Sequence, residues 1–328
     1  GVGVNDPRLS GLYGPVHEPG DPKLGTWLID GLIKDPREHI GDPISEEFRE
    51  EGYQKFIEVI DKYRPDQLQI DGGTCVRLGE DRLKKMLAHY FNSAEAWGKQ
   101  VAVSRGYDSH HGYVPSELWG KEVMVSRIIP LSCSIQNIER HFPKLTLTQI
   151  CPDRWQTSTP VPGFSWAYVA DEEERTPEEI EESINSLVDG IVDVKCKNGV
   201  TLMGVAPKPD GTLMDAQVAV LEKLGDWMCV NKEALYGTRP RSPCSAGSLR
   251  FTCKGRYLYA INLATMSGQT AIPGVRPIPG STIQMLGHDE GLSWHQDAEN
   301  VVIEELPKLL PSGYACVFKI QVEEIAEE

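Results

Sequence analysis

The sequence lacks the patterns that mark several classes of protein. No apolar run approaches the roughly 18 residues that a membrane-spanning helix needs. There is no Gly-x-Ser-x-Gly elbow of a serine hydrolase and no glycine-rich phosphate loop. The eight cysteines form no Cys-x-x-Cys pair. We therefore expect neither a membrane span nor a bound metal ion or cofactor.

Positive charge is also scarce in this chain. Its 328 residues include 48 acidic and 33 basic side chains, which gives a formal net charge of −15. A surface this acidic repels phosphate backbones, and no run of Lys and Arg along the sequence offsets it. Nucleic acid is therefore not an expected partner, and a neutral ligand is.

Residues 1–45 read as loops, and helical and strand-like segments alternate from there to about residue 240. Apolar spacing predicts four helices, at 46–62, at 83–97, behind the capping box that starts at Thr176, and at 215–228. Short apolar runs predict strands at 68–70, 101–103, 145–150 and 201–206. This alternation is typical of parallel α/β units, in which catalytic groups collect just beyond the carboxyl ends of the strands.

The pattern changes after about residue 240. Short strands separated by turn residues are predicted at 249–253, 257–263, 282–286, 301–305 and 314–322. This spacing is typical of an antiparallel β-sandwich. The sequence therefore predicts a barrel-like α/β domain at 1–240 and a smaller β domain at 241–328.

Asp71 is the first candidate for catalysis. It follows a predicted buried strand and precedes two glycines, so a carboxylate there has room for a ligand to approach. A turn-forming aspartate is the structural alternative, and position alone does not decide between the two.

Five segments, in order, resemble the α-L-fucosidases of glycoside hydrolase family 29. They are EGYQKFIEVIDKYRPDQLQIDGG, AHYFNSAEAWGKQVAVSRG, DRWQTSTPVPGFSWAY, INSLVDGIVDVKCKNGVTLMGVAPKPDGTL and LEKLGDWMCVNKEALYGTRP. The resemblance implies a (β/α)8-like barrel followed by a β-sandwich. It also implies a retaining exo-glycosidase that removes terminal α-L-fucose from fucosylated glycans through a covalent intermediate on Asp71. An extracytoplasmic location is implied by the resemblance alone.

The resemblance also implies substrate-binding residues. Arg105 stands where the family has an arginine that contacts the sugar. Trp155, Trp166 and Tyr168 are aromatic side chains suited to stacking on a deoxysugar, although aromatic residues at strand ends are as often part of a core. The pair His110 and His111 resembles a sugar-binding motif but lies after Asp71 rather than before it, so a substrate contact there is the weaker expectation.

The acid/base position departs from the family pattern. A retaining glycosidase needs a second, protonated carboxyl group roughly 5–5.5 Å from the nucleophile. Some members carry it as the glutamate of a Trp-Glu pair, where this chain has Gln156. Glu139, in a segment similar to the Glu-Arg-Gly of other members, is the first candidate, with Glu117 and Glu122 next. A structural ion pair is the alternative for Glu139.

Other departures leave a second function open. The signature Asn-Ile-Gly-Pro is Gly-Val-Ala-Pro at 204–207, and Ser104 and Ser158 replace family aspartates. These losses favour, as the alternative, a catalytically decayed relative that binds sugar or serves as a scaffold. The first half of the family's barrel has no counterpart, so the barrel is predicted to be partial. We expect its missing strands to come from another segment or from a second subunit.

Overall fold

The computed structural model describes residues 46–70, 78–107, 134–139 and 150–323, except Asp153 and Ser267. The described residues fall into two compact units. One contains residues 46–65 and 78–100, and the other contains 66–70 and everything described from 101 onward.

The first unit is a pair of helices, α1 (Glu46–Tyr63) and α2 (Glu80–Ala96). Arg82 of α2 pairs with two carboxylates of α1, at 2.9 Å from Glu46 and 3.0 Å from Glu50. The chain leaves α2 through Gly98 at φ +66°, a left-handed conformation that glycine adopts without strain. Both predicted helices are confirmed.

The second unit begins with a five-stranded parallel sheet in the sequential order β1-β2-β3-β4-β5. Its strands are β1 (Gln67–Ile70), β2 (Ala102–Tyr107), β3 (Ser134–Glu139), β4 (Trp155–Pro160) and β5 (Gly199–Gly204). Sequential order and parallel direction are the topology of a run of barrel units. The α/β class is therefore confirmed, whereas the partial barrel stays a prediction.

Two helices accompany this sheet, α3 (Pro177–Cys196) and α4 (Asp215–Asn231). The predicted capping box is present: the Glu179 amide donates to Thr176 Oγ1 at 3.2 Å, and the Thr176 amide donates to Glu179 Oε2 at 2.9 Å. Trp227 of α4 is buried as predicted for a core residue, and its indole donates to the Ala315 carbonyl at 2.8 Å. This bond ties α4 to the antiparallel part of the unit.

The remaining strands form two antiparallel sheets. The six-stranded sheet has the order β11-β10-β14-β8-β7-β6, and the three-stranded sheet has the order β12-β13-β9. The strands are β6 (Arg239–Ala246), β7 (Leu249–Lys254), β8 (Tyr257–Asn262), β9 (Thr270–Pro273), β10 (Ile283–Met285), β11 (Gly291–Leu292), β12 (Trp294–Asp297), β13 (Asn300–Ile303) and β14 (Cys316–Gln321). The change from parallel to antiparallel pairing is confirmed; a separate domain from residue 241 stays a prediction.

Two parallel strands were not predicted. Strand β4 consists mainly of polar residues, yet Trp155 through Thr159 are all buried, because one face packs on helices and the other on polar side chains. Strand β3 has only two apolar residues, Ile135 and Ile138, among its six, and they do not alternate with the polar ones. The strand predicted at 145–150 lies, except for Ile150, outside the described residues. No helix in the described ranges is long and apolar enough to cross a membrane.

Candidate active site

A cluster of buried and half-buried polar side chains lies on one face of the parallel sheet. Gln67 Nε2 donates to Ser104 Oγ at 2.8 Å and to Gln156 Oε1 at 2.9 Å. Gln156 Nε2 in turn lies 3.1 Å from Gln69 Oε1 and 3.5 Å from Ser158 Oγ. We call these five residues the polar cluster. The cluster joins strands β1, β2 and β4 through side chains alone.

The polar cluster shows that the sheet is strongly curved. Strands β1 and β4 are separated by β2 and β3, so a flat sheet would place them about 14 Å apart. The side chains of Gln67 and Gln156 nevertheless touch directly. The face that carries the cluster must therefore be concave, as the interior of a barrel is.

The amide of Gln156 is matched to its surroundings as both donor and acceptor. The residue is 3% exposed, accepts from Gln67 and donates toward Gln69. A carboxylate at this position would lose its donor and face the Gln69 oxygen inside the protein, which is unfavourable. The structure thus accounts for an amide where some family members carry a glutamate.

The loop after β4 brings Trp166 to the carboxyl end of the sheet. Gly204, the last residue of β5, pairs with Pro160 at the end of β4. A side chain on Gly204 would lie 2.8 Å from Cζ3 of Trp166, so the indole covers the Gly204 backbone. Because 37% of Trp166 remains exposed, its ring presents apolar surface beside the strand ends.

Short polar contacts hold this loop in place. Ser165 donates through both its amide and its hydroxyl to Glu172, at 2.9 and 2.7 Å. The hydroxyl of Tyr168 donates to Glu173 at 2.6 Å, a bond that raises the pKa of Tyr168. Lys208, which follows β5, lies 3.6 Å from the same carboxylate. These contacts bring Trp166 and Tyr168 to one region, and their binding of a sugar stays a prediction.

Trp155 occupies a different environment. It is 2% exposed, its indole donates to the Lys197 carbonyl at 2.9 Å, and its ring packs on Val194 of α3 and on Gly199. Alternation along β4 explains this position, because Trp155 points to the helices while its neighbour Gln156 points to the concave face. The expectation that Trp155 stacks on a sugar is corrected: Trp155 is a core residue.

Several predicted site residues have no described side chain. Asp71, His110, His111, Glu117 and Glu122 lie outside the described residues.

The backbones of two further candidates are described. Arg105 is on β2, paired with Ile70 and Gln136, and Glu139 ends β3, paired with Ser158. Their roles stay predictions.

The described residues also bear on metal and thiol chemistry. Within the described ranges, no group of three or more His, Cys, Asp or Glu side chains is placed to hold a metal ion. The six described cysteines are free thiols: Cys151, Cys196, Cys229, Cys244, Cys253 and Cys316.

Sequence reasoning missed the polar cluster, although a signal for it was present. In the strand Gln-Leu-Gln-Ile of β1, the glutamines alternate with Leu68, which is 6% exposed. Two polar side chains at alternate positions of a buried strand must share one face and find partners there. Which partners they find depends on the curvature of the sheet.

Comparison with known proteins agrees with this arrangement. The family model described as Alpha-L-fucosidase matches residues 22–233. Plasma alpha-L-fucosidase of Homo sapiens is 30% identical over 174 residues, 51% of this chain and 36% of that protein. Tissue alpha-L-fucosidase of Homo sapiens is 30% identical over 177 residues, 52% of this chain and 37% of that protein. The chain thus matches little more than a third of the length of these relatives.

A solved structure resembles the fold. The alpha-fucosidase of Thermotoga maritima superimposes with a TM-score of 0.64, covering 88% of this chain and 60% of that one at 24% identity. The structural likeness extends over both the parallel and the antiparallel sheets, since it covers most of the chain. Because the family match covers well over half of the residues, the chain belongs to the α-L-fucosidase family.

Proposed function

We propose that this chain carries the catalytic face of a retaining exo-glycosidase that removes terminal α-L-fucose from fucosylated glycans. The observation that carries the proposal is the concave face of the parallel sheet in a chain of this family. Strand carboxyl ends on such a face are where barrel enzymes assemble their active sites. Trp166 adds an exposed apolar surface at the same end of the sheet.

We propose Asp71 as the nucleophile. Gln67 and Gln69 both contribute to the polar cluster, and Asp71 is the next position in the same alternation, directly after the end of β1. Regular alternation predicts that this carboxylate faces the concave side, beyond the glutamines. From there it would attack the anomeric carbon and form the glycosyl-enzyme intermediate.

We propose Glu139 as the acid/base. It pairs with Ser158 of the polar cluster, so the same alternation directs it to the concave face. One strand separates β1 from β3, which places their backbones about 10 Å apart. If both carboxyl side chains reach inward across the curved sheet, they would approach the roughly 5–5.5 Å that retention requires.

Arg105 fits the concave face less well. Ser104 belongs to the polar cluster, whereas Val103 is fully buried on the other face. Regular alternation groups Arg105 with Val103, so a sugar contact requires an irregularity at the end of β2. For the sugar's methyl group we therefore propose Trp166 and Tyr168 first; His110 and His111 stay secondary predictions.

The test is hydrolysis of an aryl α-L-fucoside by the natural chain and by Asp71→Gly and Glu139→Gly. We expect each variant to lose at least about a thousandfold in kcat/KM. Added azide should rescue both. It should yield the inverted β-L-fucosyl azide with Asp71→Gly, because azide then attacks the fucoside directly. It should yield the retained α-L-fucosyl azide with Glu139→Gly, because azide then attacks the glycosyl-enzyme intermediate.

Asp61→Asn is the matched control, since it changes a surface carboxylate on α1. It should hydrolyse the fucoside as the natural chain does. Full activity in Asp71→Gly would remove the nucleophile assignment, and a retained product from that variant with azide would do the same.

The buried amide of Gln156 favours a second candidate function, a catalytically decayed relative that binds sugar or serves as a scaffold. In some members the acid/base stands at this position. The same assay separates the two candidates, because a decayed relative binds fucose without hydrolysing the aryl fucoside. Equilibrium binding of fucose alongside the kinetic assay decides between them.

We also propose that further strands complete the sheet, from another segment or a second subunit. Among the described strands, β5 is an edge that pairs only with β4. Val200 and Leu202 of β5 are 45% and 44% exposed and pair with Gln156 and Ser158, so they share the concave face. Light scattering and urea denaturation of the purified chain test the subunit source: a dimer supports it, and a monomer that unfolds cooperatively contradicts it.

A further inference from the structure

A second feature of the structure lies away from the proposed catalytic face. A cleft of about 2060 Å³ opens between the segments that precede β4 and β5 and the strands of the antiparallel sheets. Arg154 and Asn198 line it, and they immediately precede Trp155 and Gly199, the first residues of β4 and β5. The cleft is therefore at the amino ends of these strands, opposite to the carboxyl ends where the proposed active site lies.

The cleft concentrates positive charge in a chain whose net charge is −15. Its walls carry Arg154, Arg239, Arg241 and Lys254, and none of these makes an ion pair with a described carboxylate. Of the other charged residues described in its lining, Arg276 and Glu299 neutralise each other at 2.6 Å, which leaves Glu323. Basic side chains therefore outnumber acidic ones among the described lining residues, whereas the whole chain is acidic.

Among the described residues, a further cation lies close to this charge. Lys195 lies behind the same wall, where its ammonium donates to the Thr238 carbonyl at 3.2 Å. Burial lowers the pKa of Lys195, and the nearby charges of Arg239 and Arg154 lower it further. Like charges held together in this way are unfavourable unless a ligand of opposite charge joins them.

One of the arginines is held rigidly and has an unused donor. The Arg241 guanidinium donates through Nη2 to the Gly274 carbonyl and lies 5.4 Å from the centre of the Phe251 ring. Its Nη1 is buried and has no hydrogen-bond partner among the described residues. A buried donor without a partner at a cleft wall is where a bound ion or water is expected.

The same cleft also offers a surface for a sugar ring. Trp294 lines it, with its indole N–H fixed by the Ser281 carbonyl at 2.9 Å and its side chain half-buried. Pro240, Pro243 and Pro277 line it as well. Indole and proline surfaces pack on the apolar faces of sugar rings, while guanidinium groups bind sulfate oxygens with two parallel hydrogen bonds.

We propose that this cleft is a second carbohydrate-binding site, which takes an oligosaccharide bearing sulfate esters. The proposal rests on the proposed function, because a sulfated glycan is the polyanion that a glycosidase would meet as part of its substrate. A nucleic acid is disfavoured, since the acidic remainder of the surface repels a long polyanion that extends beyond the cleft.

The experiment measures binding of a fluorescent heparin octasaccharide to the full chain at 50 and 200 mM NaCl. Fully desulfated heparin octasaccharide, which keeps the carboxylates, and inorganic sulfate are the comparison ligands. We expect binding to the sulfated octasaccharide that weakens with salt, and binding at least about tenfold weaker to each comparison ligand. Equal binding of the desulfated octasaccharide overturns the sulfate assignment, and absence of binding overturns the site.

The variant Arg239→Gln/Lys254→Gln tests the location, because both side chains are exposed and their hydrogen bonds to described residues go to the backbone carbonyls of Thr238 and Tyr236. We expect it to weaken binding at least about tenfold. The matched control is Lys308→Gln, an exposed cation outside the cleft, which should change binding less than about twofold. Equal losses in the two variants overturn the location.

Hydrolysis of the aryl α-L-fucoside is measured in the same samples, so that the two proposals fail separately. Binding without hydrolysis supports the cleft while contradicting the glycosidase, and hydrolysis without binding contradicts only the cleft. Arg241→Lys, checked by thermal unfolding, is a second cleft variant. It keeps the charge but loses the guanidinium fork, and an unchanged affinity in a folded protein contradicts its role.

Discussion

The side chains of Gln67 and Gln156 meet at 2.9 Å although 89 positions and two intervening strands separate them. This contact requires a curved sheet, because each glutamine side chain is too short to cross the width of two flat strands. It also fixes the orientation of the Gln156 amide, which must accept from Gln67 and donate toward Gln69.

Gln156→Glu should destabilise the chain increasingly as pH rises. The new carboxylate cannot donate a hydrogen bond to Gln69. Because it is buried, its pKa is higher in the folded chain than in the unfolded chain, so stability is lost as the carboxylate ionises. We expect a loss of about 2 kcal/mol in the free energy of unfolding at pH 8 and less at pH 5, measured by urea denaturation. Gln54→Glu, on the exposed surface of α1, is the control. A loss that does not depend on pH would contradict the pairing.

Gly204→Ala should displace the indole of Trp166. The added methyl group would lie 2.8 Å from Cζ3 of the ring, closer than carbon atoms approach, so the ring has to move. We expect the KM for the aryl α-L-fucoside to rise about tenfold with a smaller change in kcat.

Gly225→Ala on α4 is the control, because nothing lies within 4 Å of its added methyl group. It should leave KM unchanged and raise the free energy of unfolding by about 0.5–1 kcal/mol, as alanine favours helix. If both variants give the same KM, Trp166 is not part of the substrate site.

Asp189→Asn should stabilise the chain at high pH. Burial raises the pKa of Asp189 to about 6 from 3.8, the nearby Arg250 opposes the rise, and Asp193 adds to it. A raised carboxyl pKa means that folding favours the protonated form, so stability is highest below pH 4 and is lost as pH rises through 6. The variant should gain about 1 kcal/mol at pH 8, after allowance for solvent screening, and little at pH 4.

Asp193→Asn should change the free energy of unfolding in the opposite direction and serves as the comparison. Asp193 pairs with Lys197 at 2.5 Å and with Arg250 at 2.7 Å, so its replacement should destabilise the chain at pH 8. Urea denaturation of both variants at pH 4 and pH 8 measures the four values. A gain from Asp189→Asn of the same size at both pH values would show that the carboxylate titrates normally.

Trp227→Phe should weaken the connection between α4 and the antiparallel sheets. The variant removes the 2.8 Å bond to the Ala315 carbonyl and leaves a void in a site that is 3% exposed. We expect a loss of about 2–3 kcal/mol in the free energy of unfolding. Trp166→Phe, at a partly exposed position, should cost less than about 1 kcal/mol. Equal losses would indicate that the indole bond contributes nothing.

Local patterns predicted much of this structure. Apolar spacing found α1, α2, α3 and α4, and the capping box at Thr176 marked the start of α3 to the residue. These signals succeed because a helix is determined by residues three and four apart and by its own caps. Strand β4 escaped prediction because its burial comes from distant segments, so its own composition remains polar. Strand β3 escaped prediction because only two of its six residues are apolar.

The candidate site residues also depend on both sequence motifs and strand geometry. Family motifs in the sequence pointed to Asp71 and Glu139, and the roles of both residues stay predictions. For Trp155, the motif suggested stacking on a sugar. The alternation of side chains along β4 instead directs Trp155 toward the helices, where it is a core residue. A motif identifies a residue type, whereas the pleat of the strand decides which face of the sheet its side chain occupies.

By itself, the sequence determined the helices, the change from parallel to antiparallel strands, the family and an acidic net charge. The tertiary structure alone decided the curvature that joins Gln67 to Gln156 and the gathering of Arg154, Arg239 and Lys254 around one cleft. Those contacts depend on residues far apart in the chain, and their positions follow from how strands pack rather than from any local pattern. A chain with an acidic net charge can thus carry a basic region in its folded structure.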